Sequence, residues 1–571
     1  MSSAAPGAPP APSALPQRFA DSVFVNGVVY TADGAHTITE ALAVSDGRIA
    51  AVGATDEVRR LAGGATRVVD LEGRLVLPGF IDSHAHASET AGDIYGVRLK
   101  GLTSLEQYVA AVRDFCAGHP ELPVICGSGW SNVVAPGRGP TAAALDAAVA
   151  DRPALLTSED GHSLWVNSTA LLLADVGADT PDPANGVIER EPASGAPSGT
   201  LREGAQHLMR EAVSPFTAAQ YAEAIRHFQR EVAGPLGITT VFDPMLVAGE
   251  PAFAAFERLQ RDDELTVRFR AGFWLRSDLP MDEQLRAATA ERRRHAGALF
   301  QADTVKFFAD GVIEGHTAYL DEPYADTPGD RGFPEWPAGA LEAASVAASA
   351  AGFELHYHAI GDAGTAAALD AIAAARAAGL GGSRPAITHV QLTRPGDIER
   401  FAALGVTAVL NPYWFLRDDY FYDLQVPYLG LERAEREYPM ASFFAAAVPV
   451  ASASDFPVTV PPDPLVGIQV GVMRWSAGEA AAGDVLWPEE RVTVEQMVDS
   501  FTIAGARAHR LDDETGSLEA GKSADLIVLD TNILGVPAEE IGSAKVLLTV
   551  FGGDEVYRAP LYAWRAGATA P

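Results

Sequence analysis

The sequence predicts an α/β chain: a (β/α)8 barrel carrying a small β-sandwich assembled from both chain ends. Three observations predict it. Eight apolar, β-branched runs alternate with alanine-rich helical segments, and short strands punctuated by tight turns gather at the two ends. The 571 residues, 48% hydrophobic and 20% charged, are ample for a large core.

In chain order, residues 1–20, opening "MSSAAPGAPPAPSALPQ", are Pro, Ala and Ser rich and read as a disordered tail. The stretch has neither a basic start nor a continuous apolar run, so no signal peptide is expected. Residues 21–78 follow with "SVFVNGVVYTAD", "ALAVSDGRIAAVG" and "TRVVDLEGRLVLPG", where Asn-Gly and Asp-Gly mark tight hairpin turns. A matching piece, "GSLEAGKSADLIVLD" and "KVLLTVFGGDEVY", lies within residues 511–571. Neither end holds enough sheet to close a core, so the two are expected to share one sandwich. Residues 79–510 make the barrel. Its strands are expected in "LVLPGFIDSH", "GITTVFD", "VRFRAGFWL", "DTVKFFADG", "GFELHYHAIGD", "PAITHVQ", "GVTAVLN" and "VPVASASDFPV". Nearly continuous apolar strands separated by helices such as "DAGTAAALDAIAAARAAG" indicate a parallel sheet covered by helices. Two further runs, "LPVICGSGW" and "RPALLTSEDGH", fall in an insertion over about residues 101–235. Within it, "PDPANGVIEREPASGAPSGT" reads as an exposed hairpin or lid.

The charge balance is 42 − 75 = −33. Such a surface repels phosphate backbones, which disfavours nucleic acid as a partner. No run of about eighteen apolar residues occurs, so no membrane span is expected and the cytoplasm is the default location. Cys116 and Cys126, the only cysteines, make no disulfide framework.

In a barrel of this kind, chemistry sits at the carboxyl ends of the strands. The last polar residues there form a concentrated set. The first strand ends in His84 and His86, which an extended backbone points the same way, giving half a metal site. The lysine strand gives Lys306 and Asp310; "ELHYHAIGD" gives His356 and His358; "ITHVQ" gives His389; "ASASDFP" gives Asp455. Each alone has an ordinary reading as a turn, a loop residue or a snorkelling lysine. Five strands ending this way together do not.

These motifs resemble the amidohydrolase superfamily, and within it the amidohydrolase-3 branch of YtcJ-like metal-dependent hydrolases, which includes N-substituted formamide deformylases. "LPGFIDSHAH" resembles the first-strand signature, "VKFFADG" the lysine strand, "HAIGD" the fifth-strand motif and "SASDFPV" the final aspartate motif. "EDGHSLWVNSTAL" and "GSLEAGKSADLIVLD" resemble further stretches of the family, and the likeness runs from Asp21 to about Arg558.

The resemblance implies one or two divalent ions, zinc by ligand type. His84, His86 and Asp455 would hold the deeper ion, and His358 and His389 the second. Lys306 would bridge them as a CO2-derived carbamate, which removes the cost of a buried ammonium. A metal-activated water would then hydrolyse a carbon–nitrogen bond of a small amide or N-acyl compound, with Asp455 shuttling the proton. Deamination or cyclic-amide hydrolysis on the same centre is the alternative, and a non-catalytic scaffold the remote one. A small-molecule substrate is the expected partner, with a homodimer left open. His162 is a candidate hydrogen-bond donor to substrate or oxyanion, and Asp310 a residue behind the ligands. Glu314 and His316 either shape substrate choice or are loop polarity, and Trp130 joins Trp165, Trp274, Tyr413, Trp414 and Phe415 as expected aromatics near the mouth. The branch more often has an apolar residue where this chain has His356. That histidine either packs one layer below the ligands or alters the metal site.

Overall fold

The computed structural model describes residues 19–183, 186–210, 216–476, 484–560 and 562. The expected tail lies outside the described residues apart from Phe19 and Ala20; Ala20 is buried and donates its N–H to the Leu61 carbonyl.

One sheet holds eight strands: β1 (Phe80–Asp82), β2 (Ile238–Leu246), β3 (Arg268–Trp274), β4 (Phe300–Phe308), β5 (Glu354–Ala359), β6 (Ala386–His389), β7 (Thr407–Leu410) and β8 (Val450–Ser452). Every neighbouring pair is parallel, in sequence order from β1 to β8. Helices cover the outside. The helix Pro251–Arg261 shows why they dock. Proline at its first turn costs no hydrogen bond, and its buried face carries Phe253 and Phe256. Phe253 stacks on Phe273 of β3 (5.3 Å) and Phe256 on Phe300 of β4 (4.4 Å), fixing the helix by aromatic packing.

The ring closes just beyond the strand ends. Ser83 N–H donates to Ser452 O (3.2 Å), Asp455 N–H to His84 O (2.8 Å) and His86 N–H to Phe456 O (2.7 Å). Three backbone bonds therefore lay the turn after β1 against the turn after β8.

Between β1 and β2 the chain builds a second sheet, in the order Gly186–Arg190, Pro197–Glu203, Ser163–Val166, Ala154–Ser158, Ile125–Trp130, Val97–Arg98. Its last strand, Val97–Arg98, precedes the expected start of the insertion at residue 101. The segment over residues 181–200 forms an antiparallel hairpin, Arg190 opposite Pro197, apart from residues 184 and 185, which lie outside the described residues. Its second strand is not an exposed lid, because Ser198, Thr200, Leu201 and Arg202 are buried against the insertion.

At the chain ends, Leu75–Pro78 pairs antiparallel with Leu526–Leu529 in a six-stranded sheet. Strand alternation gives that sheet two faces. Leu75, Leu77, Ile527 and Leu529 pack into the barrel's core, whereas Val76, Leu526 and Val528 pack against Phe24, Leu42 and Val44 of the sandwich. A buried ion pair joins the same region to the barrel floor: Arg268, at the start of β3, meets Asp525 at 2.8 Å.

Candidate metal centre

The residues expected at the strand ends converge on the carboxyl face of the barrel. A cavity of about 340 Å³ opens there, lined among others by His84, His86, His162, Lys306, His358, His389 and Asp455. The register explains the convergence. Lys306 on β4 lies opposite His356 on β5, Phe308 opposite His358, and Ala359 opposite His389.

One nitrogen each from His84 and His389 and one oxygen of Asp455 lie within 4.8 Å of one another. His84 Nε2 is 3.4 Å and His86 Nε2 3.1 Å from Asp455 Oδ1, and Lys306 Nζ is 3.5 Å from His84 Nε2. The tightest group thus crosses the two expected ligand sets: His389, assigned to the second ion, sits with His84 and Asp455. The barrel closure accounts for the His84–Asp455 half of the group, since it draws Asp455 N–H onto His84 O.

The electrostatics suit a cation. Burial, followed by the Lys306 charge, pulls the His84 imidazole well below its ordinary pKa. Burial likewise lowers His389, to about 4 despite Asp455, and pulls His358 well below its ordinary value. Burial would raise Asp455, but the His86 hydrogen bond and the surrounding positive charges outweigh it and hold the carboxyl at about 2. Among the expected histidine ligands only His86 moves up, because its bond to Asp455 and the charge of Glu89 outweigh burial. Its buried Nδ1 makes no hydrogen bond and lies 3.9 Å from Glu89 Oε1. Neutral imidazoles at His84 and His389 with an ionised carboxylate at Asp455 fit a divalent metal by donor chemistry. Burial also brings Lys306 down to about 7, against the pull of Asp455, so a neutral amine is available near neutrality.

Outer partners orient the rings. His389 donates Nδ1–H to Asn411 Oδ1 (2.9 Å), its ring stacked on Trp414 (5.4 Å), which leaves Nε2 for the centre. His358 donates Nε2–H to the Gly311 carbonyl (3.1 Å), leaving Nδ1. Asp310 accepts the backbone N–H groups of Tyr319, Ile360 and Gly361 at 2.8–3.0 Å, fixing the loop that carries Gly311. Asp310 itself does not line the cavity.

The insertion contributes the cavity's other wall. His162 lies with its ring 4.9 Å from that of His358, and its Nδ1 donates to Glu203 Oε2 (2.8 Å). Glu203 Oε1 in turn accepts from Thr317 Oγ1 (2.6 Å). Gly311 permits this approach, because a Cβ there would lie 2.4 Å from Glu203 Oε1 and 2.1 Å from Thr317 Oγ1. Burial would lower the His162 pKa, but the Glu203 charge and hydrogen bond raise it to about 9.

Three expected residues lie elsewhere. Trp130 is fully buried in the insertion's own core and donates its indole N–H to Leu156 O (2.9 Å), so it does not reach the cavity. His316 is held by Asp326 (3.1 Å) and packed between Tyr324 and Tyr428, and it does not line the cavity. Glu314 does not line it either; burial and then the Asp160 charge raise its carboxyl to about 7. Of the remaining aromatics, Trp274 lines the cavity, Trp414 backs His389, and Trp165, Tyr413 and Phe415 are buried.

Sequence reasoning missed Glu203, Asn411 and Asp243. Asp243 ends β2's polar face, accepting Ser88 N–H (2.9 Å) beside the His86 turn. Asn411 follows the last residue of β7, and Asp243 closes the run "GITTVFD" three residues before β2 ends, so the rule that found the histidines also pointed to them. Glu203 has no such signal, because it belongs to the insertion.

A sequence model of the Amidohydrolase family matches residues 67–557. The chain belongs to the amidohydrolase family. Among its relatives, this amidohydrolase is 31% identical to Protein LONG AFTER FAR-RED 3 of Arabidopsis thaliana, over 94% of this chain and 92% of that one. It is 28% identical to N-substituted formamide deformylase of Arthrobacter pascens, over 93% and 97%. An uncharacterized metal-dependent hydrolase of Pyrococcus furiosus superposes with a TM-score of 0.67 at 26% identity, covering 90% of this chain and 99% of its own. The (β/α)8 barrel with its added domain is thus the fold of known family members.

Proposed function

We propose that this amidohydrolase is a metal-dependent hydrolase cleaving the carbon–nitrogen bond of a small amide, N-acyl or N-formyl compound. One observation carries the reading: ligand atoms of His84, His389 and Asp455, from the turn after β1, the end of β6 and the turn after β8, gather within 4.8 Å beside the cavity. The likeness to N-substituted formamide deformylase supports an N-formyl or N-acyl substrate.

His84, His389 and Asp455 would hold the ion, with His86 against the same carboxylate. Zinc suits nitrogen and carboxylate donors of this kind. When bound, the ion lowers the pKa of water and polarises a carbonyl oxygen. The chain's own groups supply the rest. Asp455, ionised at neutral pH, accepts a proton from the attacking water at a carboxylate oxygen and returns it to the leaving nitrogen. His162, its Nδ1 fixed by Glu203, donates from Nε2 to the substrate carbonyl oxygen. Lys306, with its neutral amine accessible near pH 7, reacts with CO2, and its carbamate with His358 would serve a second ion.

Metal analysis of the purified protein, with turnover measured on N-formyl, N-acetyl and cyclic amides, tests the reading. One to two equivalents of zinc and a carboxylate product are expected; ammonia released from a cyclic substrate would mark a deaminase instead. Full activity of metal-free protein would end the mechanism. Lys306→Ala should lose roughly a hundredfold in turnover. Acetate or propionate should restore part of it by filling the vacated volume, and near-normal activity without added acid would remove the carbamate.

A further inference from the structure

His356 neither lines the cavity nor belongs to the compact ligand group, yet it is 98% buried directly beneath it. On β5 it stands opposite Lys306, one inward-facing position before His358. Its Nε2 is 2.8 Å from His84 Nδ1, the two rings 5.0 Å apart and inclined by 31°. Phe242 packs against both rings, 4.8 Å from His356 and 6.5 Å from His84, and confines the pair.

Only one proton fits between two imidazole nitrogens in such a bond, and its position sets the tautomer of His84. With the proton on His84 Nδ1, the Nε2 lone pair faces Asp455 Oδ1 and the Lys306 amine. With the proton on His356 Nε2, His84 Nδ1 must accept, and a neutral His84 then carries hydrogen on Nε2. That arrangement blocks Nε2 as a ligand.

We propose that His356 is a positioning residue for the metal centre: its Nε2 lone pair holds the Nδ1–H of His84, so that His84 Nε2 is kept free for the ion. The proposal rests on the metal-dependent reading above. Metal-ligating histidines ordinarily give this proton to a carboxylate, a carbonyl or water, and such outer partners are typically worth tenfold to a hundredfold in metal affinity. An imidazole acceptor does the same work while adding no negative charge under the site. Packing alone does not call for it, because an apolar side chain of similar size would fill a site beside Phe242.

The test compares full-length wild type, His356→Leu and His356→Gln. Zinc dissociation constants come from competition with a chelator, visible spectra from cobalt-loaded protein, and melting temperatures from the metal-free forms. His356→Leu should weaken zinc binding by roughly 10- to 100-fold and alter the cobalt spectrum. His356→Gln, whose side-chain carbonyl can accept the same proton, should recover most of the affinity. A His356→Leu protein that binds zinc as tightly as wild type overturns the assignment, even if its melting temperature falls. Nitrogen-15 spectra of histidine in the zinc-loaded wild type need no folded variant. They should show His84 protonated at Nδ1 and His356 unprotonated at Nε2; the reverse at His356 also overturns it. A wild type that binds no zinc removes the metal-dependent reading, and with it this one.

Discussion

Two buried polar clusters sit at opposite ends of the barrel. At the floor, Asp525 is saturated: Oδ2 accepts from Arg268 (2.8 Å) and Thr515 Oγ1 (2.8 Å), and Oδ1 from Ser523 Oγ (2.7 Å) and Gly552 N–H (2.8 Å). Burial would raise its pKa, but the Arg268 charge and these bonds hold it below the ordinary range. At the mouth, Asp455 is just as ionised but faces His84 and His389, which burial keeps short of protons. The first cluster has used its hydrogen-bonding capacity and serves as a joint. The second keeps lone pairs in reserve, which a stable core alone has no reason to do.

The sharpest break between the two is catalytic. Asp455→Ala should cut turnover by roughly a thousandfold or more while circular dichroism shows the fold intact. Unfolding instead would make the mouth cluster structural. The floor should behave the other way. Asp525→Ala leaves Arg268 buried and unpaired and should cost about 3–5 kcal/mol in denaturant unfolding. Turnover per folded molecule should be unchanged; a large loss of turnover would erase the distinction.

A subtler contrast concerns Glu203. The His162 pKa is raised from 6.5 to about 9 in the folded protein, so its pairing stabilises fully below about pH 6.5 and fades as pH rises through about 9. Glu203→Gln should therefore be least stable relative to wild type at pH 6, with the gap closing by pH 10, and its turnover should drop more than its KM rises. A gap independent of pH would show that the pair is not charged. The smallest effect is expected at Trp130. Trp130→Phe should lose about 1 kcal/mol through the indole hydrogen bond and leave KM unaltered. A changed KM would return Trp130 to the substrate.

The barrel was legible because its signal is periodic. Eight apolar runs gave eight strands, and polar residues at five strand ends marked the mouth. Alternation within a strand put His356 on the same face as His358 but left open whether it packs below the ligands or alters the site. Its contact with His84 was not legible, since a cross-barrel hydrogen bond has no spacing in the chain. Trp130 misled for the same reason: an aromatic near a glycine-rich strand end reads alike whether it faces a cavity or an inserted core. Glu203 was invisible because its partners, His162 and Thr317, come from separate loops that meet only in three dimensions.

The ring closure has a consequence for timing. His84 and Asp455 are separated by 371 positions, and the backbone bonds that bring them together form only when β8 seats beside β1. β1 itself continues from Leu75–Pro78, whose partner strand Leu526–Leu529 lies near the far end of the chain. During synthesis, His84 and His86 therefore emerge long before Asp455, and a nascent chain that stops short of Asp455 does not hold the assembled group. A chain stalled before residue 455 lacks both the Asp455 carboxylate and the backbone bonds that seat it beside His84.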